Sequence, residues 1–372
     1  MQGNLYQFTL PVYLILRSCG LPDSRTCQLP TSKLPDFLYL YAVSEQILSI
    51  QHLTKQHQSE QLSGISDISF EINKGEIVAI IGESGSGKST LLKCIYGLLK
   101  VDEGEVIFNG KRVKGPDEQL IPGHAEMKMV TQDFSLNIYA KVYDNIASQL
   151  SNTNVVLKQQ KTMEVMEHLR ITALKDKKII ALSGGEQQRV AIAKALVSDT
   201  KVLLLDEPFS QVDAILKNQL RADIKQLSKD TGLTIIMVSH DATDGLFMAD
   251  RLVMIKEGKL LQQGKPREVY NHPNSTYTAK MLGNAVVLSK KEAQALELKV
   301  NGEQVCFYPE WVELKAGWSA KKFNVRDIYY KGFYDELLLE RNGVYIRALQ
   351  LNSGEHKKND QVYVNIGRFL EY

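Results

Sequence analysis

A chain of 372 residues has room for about two or three domains, and 44% hydrophobic with 24% charged residues is the balance of a globular protein. A formal net charge of +2, with no acidic or basic tail, argues against a large electrostatic footprint for nucleic acid. The four cysteines (Cys19, Cys27, Cys94, Cys306) form no CxxC pair and no zinc-spaced Cys/His cluster, so neither structural disulfides nor a zinc centre is expected.

Residues 1–46 keep no helical or strand period and are punctuated by Pro11, Pro22, Pro30 and Pro35. They read as a disordered or loosely attached extension, or as a misassigned start with the working protein beginning near Ile47. Their most apolar stretch, LYQFTLPVYLIL, is shorter than the roughly 20 residues that cross a bilayer and is broken by Pro11. It also lacks the basic leader and small-residue cleavage site of a secretory signal. A membrane role is therefore expected only through a partner.

From Ile47 the pattern becomes regular. ILSIQHL (47–53) and GISDISFEI (64–72) alternate apolar and polar residues, as half-buried strands do. EIVAIIG (76–82), VLLLDEP (202–208) and TIIMVSH (234–240) are nearly unbroken apolar runs, which predicts strands buried on both faces. Between the last two, AILKNQLRADIKQLSKD (214–230) predicts a helix with Leu216, Leu220, Ile224 and Leu227 on one face. Strands alternating with helices predict an α/β domain over 47–283 with a largely parallel sheet, and ligands gather at the carboxyl ends of such strands. Beyond Asn284 the pieces are short and strand-like. Asn342-Gly343 sits between two apolar arms, the signature of a tight hairpin, and QVCFYPEWVEL and QVYVNIGRFL add further strands. Residues 284–372 thus read as a small, barrel-like all-β domain.

The chemistry is concentrated in the α/β part. Gly82, Glu83, Ser84, Gly85, Ser86, Gly87, Lys88 and Ser89, followed by Thr90, match GxxxxGK[ST] between a buried strand and a helix. The glycines allow a tight backbone whose N–H groups converge on an anion at the helix start. Lys88 would reach the β- and γ-phosphates, and Ser89 would offer its hydroxyl to Mg²⁺. Glycine-rich strand–helix turns also occur without ligands, but not commonly with the complete pattern. Asp206 and Glu207 end a strand after four apolar residues, a costly place for two acids without a counter-charge. Beside a phosphate loop that counter-charge is Mg²⁺ held by Asp206, leaving Glu207 to polarise the attacking water. His240 closes the next apolar strand, where a neutral imidazole could contact the γ-phosphate and orient Glu207. Gln132 ends MKMVTQD, and its amide could touch both Mg²⁺ and the water. Finally, LSGGEQQRVAIAKAL (182–196) opens a helix with Ser183, Gly184 and Gly185, a second ready-made anion site.

In this company the sequence resembles the nucleotide-binding subunits of ATP-binding cassette transporters, from about Ile47 to Gly283. The resemblance implies a P-loop ATPase with a mixed-sheet core and a helical subdomain, hydrolysing ATP with Mg. By that resemblance Gly82–Thr90 is the Walker A loop, Gln132 the Q-loop glutamine and Ser183–Glu186 (with Gly184 and Gly185) the signature. Asp206 becomes the Walker B aspartate, with Ser89 and Gln132 as further Mg ligands. Glu207 becomes the catalytic glutamate, Asp213 the D-loop aspartate and His240 the switch histidine. Two positions depart from the family: His57 stands where an aromatic stacks on adenine, and the D-loop reads SQVD, placing Gln211 at the dimer seam. The resemblance further implies a head-to-tail homodimer in which Ser183 and its glycines bind the ATP of the partner copy. Its other implied partners are transmembrane permease subunits and, indirectly, a periplasmic or lipid-anchored substrate-binding protein. DFSLNIYAKVYDNIA, after Gln132, is where permease helices would dock. The place of action would be the cytoplasmic face of the inner membrane, peripherally.

GKLLQQGKPREVYNHPNSTYTAKMLG followed by a small β domain resembles importer ATPases of the sugar, polyamine, ferric iron and oxyanion type. These end in an OB-like TOBE domain, and YPEWVEL stands at its arginine-proline-glutamate stretch with Tyr308 at the arginine position. A soluble cassette ATPase of translation or DNA repair is the alternative. Translation types carry two sets of motifs in one chain, whereas one set occurs here, and repair types interrupt their motifs with long insertions. A slow nucleotide-dependent regulator is the third reading, which the presence of both Glu207 and His240 disfavours. Polyamine, ferric iron or another small solute is the expected cargo.

Overall fold

Residues 45–56, 64–315, 320–352 and 354–372 are described in the computed structural model and belong to one unit, Glu45–Tyr372. The expectation for an N-terminal extension lies outside them as far as residue 44, and so does the adenine-stacking role of His57. Among the described residues no helix is long and apolar enough to cross a membrane.

The first ten strands run β1 (Gln46–Lys55), β2 (Ile65–Asn73), β3 (Ile77–Ile81), β4 (Glu103–Phe108) and β5 (Lys111–Arg112), then β6 (Met127–Val130), β7 (Val202–Asp206), β8 (Thr234–Ser239), β9 (Arg251–Lys256) and β10 (Lys259–Gly264). The helices among and after them are α1 (Lys88–Tyr96), α2 (Val142–Ala147), α3 (Val155–His168), α4 (Gly184–Leu196), α5 (Ala214–Thr231), α6 (Ala242–Met248), α7 (Pro266–Asn271) and α8 (Thr276–Gly283). β2-β1-β4-β5 form an antiparallel sheet, and β10-β9-β3-β8-β7-β6 form a second sheet whose inner pairs are parallel. Only β10 runs antiparallel there, returning from β9 through Glu257 and Gly258, both with positive φ.

The apolar runs are explained by two cores, one on each face of the six-stranded sheet. Ile77, Ala79, Ile81, Leu203, Leu205, Ile235 and Met237 enter the core built with the helices after β6. Their alternates Val78, Ile80, Val202, Leu204, Ile236 and Val238 enter the core shared with α1 and the antiparallel sheet. Successive side chains of a strand point to opposite faces, so a strand covered on both sides must be apolar throughout. α5 follows its predicted stripe with Leu220, Ile224 and Leu227 buried, but Leu216 is 44% exposed. Its turn lies at the rim of a surface cavity that also takes in Ser183 and Gly185, so periodicity and burial part company there.

After the left-handed Asn284 that caps α8, the chain forms β11 (Val286–Ser289), α9 (Lys290–Ala295), β12 (Gln304–Phe307), β13 (Val312–Leu314), β14 (Lys321–Tyr330), β15 (Asp335–Arg341), β16 (Val344–Gln350), β17 (Gln361–Ile366) and β18 (Leu370–Glu371). The sheets β11-β12-β18 and β13-β17-β14-β15-β16 wrap one core, with Leu288, Val305 and Phe307 facing Phe323, Val325, Leu337, Leu339, Ile346 and Val364. This is an OB-like half-barrel. Asn342 (φ 52°) and Gly343 (φ 76°) turn the β15–β16 hairpin, and two consecutive left-handed residues are what a two-residue type I′ turn requires.

Candidate functional site

Four adjacent parallel strands, β3, β8, β7 and β6, end at one edge of the sheet. They deliver the start of the predicted phosphate loop (Gly82), His240, the Asp206–Glu207 pair and, two residues past β6, Gln132. Residues far apart in sequence therefore share one edge because the strand order interleaves them.

The loop is held tightly from behind. A Cβ at Gly82 would stand 2.3 Å from the Ile255 carbonyl oxygen, and one at Gly87 would stand 2.7 Å from that of Gly64. Gly87 also has φ 95° as the residue preceding α1, so both packing and dihedral require glycine. Lys88 is buried, and its ammonium donates to the carbonyls of Gly82 at 2.9 Å and Glu83 at 2.7 Å. Burial pushes this amine below its ordinary range, against the opposing pull of Glu207, Asp206 and Glu83. The Ser89 hydroxyl donates to Asp206 Oδ1 at 2.9 Å. Burial raises the Asp206 carboxyl, while Ser89 and Lys93 pull it down and Glu207 adds to the rise.

Glu207 follows with φ 48°, a left-handed conformation that costs energy in a residue with a Cβ. The Glu207 N–H donates to the Val238 carbonyl at 3.1 Å, and the Glu207 carbonyl accepts from the Ser210 N–H and hydroxyl. His240 Nδ1 lies 3.1 Å from Glu207 Oε2, so the structure brings together two of the predicted catalytic residues. Gln132 is exposed, and its carbonyl accepts from Gln211 Nε2 at 3.2 Å.

Ser183 caps α4 in a reciprocal box: its hydroxyl accepts from the Glu186 N–H at 3.4 Å, and Glu186 Oε2 accepts from the Ser183 N–H at 2.8 Å. The neighbours of Gly184 and Gly185 are Gln211 and Val212 rather than the phosphate loop. A Cβ at Gly184 would be 2.6 Å from the Gln211 carbonyl oxygen, and one at Gly185 would be 3.4 Å from Val212. Asp213 precedes α5 without a side-chain capping bond and is exposed. Within the described residues, then, the predicted site divides into the strand-edge group and the group formed by the start of α4 and the D-loop.

Several features bear on whether a phosphate and a divalent cation fit. Ser86 Oγ is buried with no hydrogen-bond partner, at the centre of the loop. The loop presents a buried ammonium, and Ser89 and Asp206 supply two oxygens side by side. Among the described residues no cluster of three or more His, Cys, Asp or Glu could hold a metal alone. Mg²⁺ commonly takes one or two protein oxygens and completes its shell with phosphate and water. The residues fit both groups.

Sequence reasoning missed two supports of this edge. The Tyr277 hydroxyl, from α8, accepts from the Glu83 N–H at 3.2 Å, and Lys256 stands over its ring at 5.1 Å. Nothing in NSTYTAKML distinguishes that tyrosine from an ordinary helix residue. The other support is the charged set Lys217, Arg221, Asp241 and Asp244 behind His240. Arg221, between the apolar positions Leu220 and Ile224, was the available signal.

The sequence profile described as ABC transporter matches residues 65–210. The spermidine/putrescine import ATP-binding protein PotA of Mycoplasma capricolum subsp. capricolum is 35% identical over 252 residues, covering 66% of this chain and 69% of that one. The sn-glycerol-3-phosphate import ATP-binding protein UgpC of Vibrio cholerae is 34% identical over 277 residues, covering 71% of this chain and 70% of that one. Among solved structures, the dimeric form of MJ0796, a bacterial ABC transporter cassette, matches with a TM-score of 0.53 at 27% identity, covering 59% of this chain and 99% of that one. On the strength of these relatives and of the strand-edge geometry, the chain belongs to the ABC transporter family, among the ATP-binding subunits of importers.

Proposed function

We propose that two copies of this chain close head to tail around two ATP molecules, hydrolyse them, and thereby drive a separate transmembrane permease. The observation that carries this reading is the convergence of Lys88, Ser89, Asp206, Glu207, His240 and Gln132 on the ends of four adjacent strands.

Lys88 and the N–H groups of Gly82–Thr90 would take the β- and γ-phosphates. Ser89 and Asp206, with Gln132, would hold Mg²⁺, which when bound neutralises phosphate charge. Glu207 would accept a proton from the attacking water, and His240 would keep its carboxylate aimed. Ser183, Gly184, Gly185 and Glu186 would meet the γ-phosphate held by the other copy, with Gln211 and Asp213 at the seam. In support, α4 starts beside the D-loop, and the MJ0796 cassette is described as dimeric.

Residues 47–283 would form the ATPase domain and 284–372 a regulatory or dimer-stabilising one. The chain would lie peripherally on the cytoplasmic face of the membrane, served indirectly by a substrate-binding protein. The cargo would be a polyamine, ferric iron or another small solute. PotA and UgpC are named for different solutes and match almost equally, as expected if solute choice resides in the permease and binding protein.

The test is Glu207→Gln with ATP and Mg²⁺ on a sizing column. A stable ATP-bound dimer with hydrolysis stopped is expected. A variant that stays monomeric with ATP and still hydrolyses it overturns the reading.

A further inference from the structure

Behind the Glu207–His240 pair lies a buried ionic cluster to which no role has yet been given. Arg221, in the middle of α5, is 4% exposed, and Asp244, in α6, is 2% exposed. Arg221 Nε donates to Asp244 Oδ1 at 2.9 Å, Nη2 donates to the same oxygen, and Nη1 donates to Asn218 Oδ1 at 2.8 Å. The other carboxylate oxygen of Asp244 accepts from the Ser239 hydroxyl at 2.6 Å. That hydroxyl in turn accepts from the Asp241 N–H at 3.0 Å. Lys217 completes the set, donating to Asp241 Oδ2 at 2.7 Å and standing 3.4 Å from Asp244 Oδ1. Both backbone neighbours of His240 are thus tied, through one hydroxyl, to one buried carboxylate.

The guanidinium reaches the other half of the pair as well. It lies 5.6 Å from the centre of the Phe209 ring and 6.0 Å from that of Phe247. Phe209 is itself buried, two residues beyond Glu207 and its left-handed backbone. One side chain therefore bears on the segment carrying the carboxylate and on the segment carrying the imidazole.

Stability alone does not account for this arrangement. Burying two charges carries a desolvation cost before their attraction is counted, and an apolar pair of similar volume is often as stable or more so. What an ion pair adds is direction, because forked donors and a two-oxygen acceptor accept few geometries. We propose that Arg221 and Asp244 are positioning residues: acting through Ser239 and Phe209, they set the register between Glu207 and His240. This rests on the hydrolytic roles proposed above for Glu207 and His240.

The experiment is steady-state ATP hydrolysis with Mg²⁺ by the full-length parent, Ser239→Ala, the double variant Arg221→Met/Asp244→Leu, and His240→Ala, each with a thermal melt. Ser239→Ala removes one hydroxyl and leaves every charge paired. The double variant removes the ion pair without stranding either charge. Each should lower kcat about tenfold while KM for ATP stays within about twofold, the pattern of a lost transition-state interaction. The double variant should melt no lower than the parent, which separates aim from stability. Parental kcat in both overturns the positioning role, provided His240→Ala is impaired. Parental kcat in His240→Ala overturns instead the reading beneath it.

Discussion

His240 Nδ1 stands 3.1 Å from Glu207 Oε2, joining the ends of two neighbouring strands, β8 and β7. Groups that act as one unit lose their function together, so the second loss adds little to the first. Glu207→Gln and His240→Ala should each lower kcat about 100-fold or more, the low end of what a positioned acid–base group contributes. The double variant should be no worse than the poorer single variant. Multiplying losses, measured under saturating ATP, would show that the two act independently.

Ser183 stands at the start of α4, lining a cavity with Val212 and Leu216 rather than the phosphate loop of its own copy. Ser183→Arg should abolish ATP-driven dimer formation while leaving ATP binding by the monomer within about twofold of the parent, since surface substitutions rarely disturb distant sites. Equilibrium binding of a fluorescent ATP analogue, beside sizing-column profiles, reads both. An equal loss of binding in the monomer would contradict a role across the dimer.

Lys88 donates to two loop carbonyls from a buried position, so its charge is stabilised by oxygens that a phosphate would supplement. Lys88→Met keeps the stem and removes the ammonium. ATP affinity should fall by at least about tenfold, the worth of a charge-assisted hydrogen bond, without loss of melting temperature. Unchanged affinity would remove Lys88 from the phosphate site.

Asp206 is raised by burial, so ionising it costs more in the folded protein than in the unfolded chain. Such a cost is absent below the unfolded carboxylate pKa of about 3.9 and fully present above the raised folded value. Asp206→Asn keeps an oxygen for Ser89 to donate to. Without nucleotide it should melt about 2 °C or more above the parent at pH 7, the advantage vanishing towards pH 4. Mg²⁺-dependent hydrolysis should be lost at the same time. A lower melting temperature at pH 7 would mean that Asp206 is stabilising as an ion.

Tyr308 stacks on Tyr270 of α7 at 4.4 Å, meets Trp311 edge-on at 4.8 Å and packs against Gly283 at the end of α8. Arg368 lies over Trp311 at 3.9 Å and donates to Asn271. Tyr308→Ala should cost about 3 kcal/mol, as large aromatic truncations do. It should also speed proteolysis near Asn284 if residues 284–372 fold around their own core. Calorimetry and timed digestion check this; an unchanged digestion pattern would argue against a boundary there.

Much of this was legible because the chemistry is local in sequence. A phosphate loop, an acidic pair and a histidine each follow an apolar run, and the parallel sheet aligns the ends of those runs without further information. The Asn342-Gly343 hairpin was legible for the same reason, since two left-handed residues need particular side chains. What stayed hidden depends on side chains meeting across elements. Arg221 and Asp244 lie 23 residues apart and pair only because α5 packs beside α6. Leu216 sits on the apolar stripe but at a surface rim, a distinction that periodicity does not contain. Tyr308 stands at an arginine position by resemblance, but the motif contains no sign that its ring fills a buried aromatic seam.

The left-handed backbone of Glu207 has a consequence for how this chain tolerates genetic drift. Glycine and asparagine adopt that conformation more easily than glutamate, so either should fold at least as well at position 207. If Glu207 is the base proposed above, a library sorted for abundance or heat resistance would therefore enrich inactive variants at this codon, whereas one sorted for solute uptake would purge them. The position where those two selections disagree most would mark, without any bound ligand, where the chain has exchanged comfort for work.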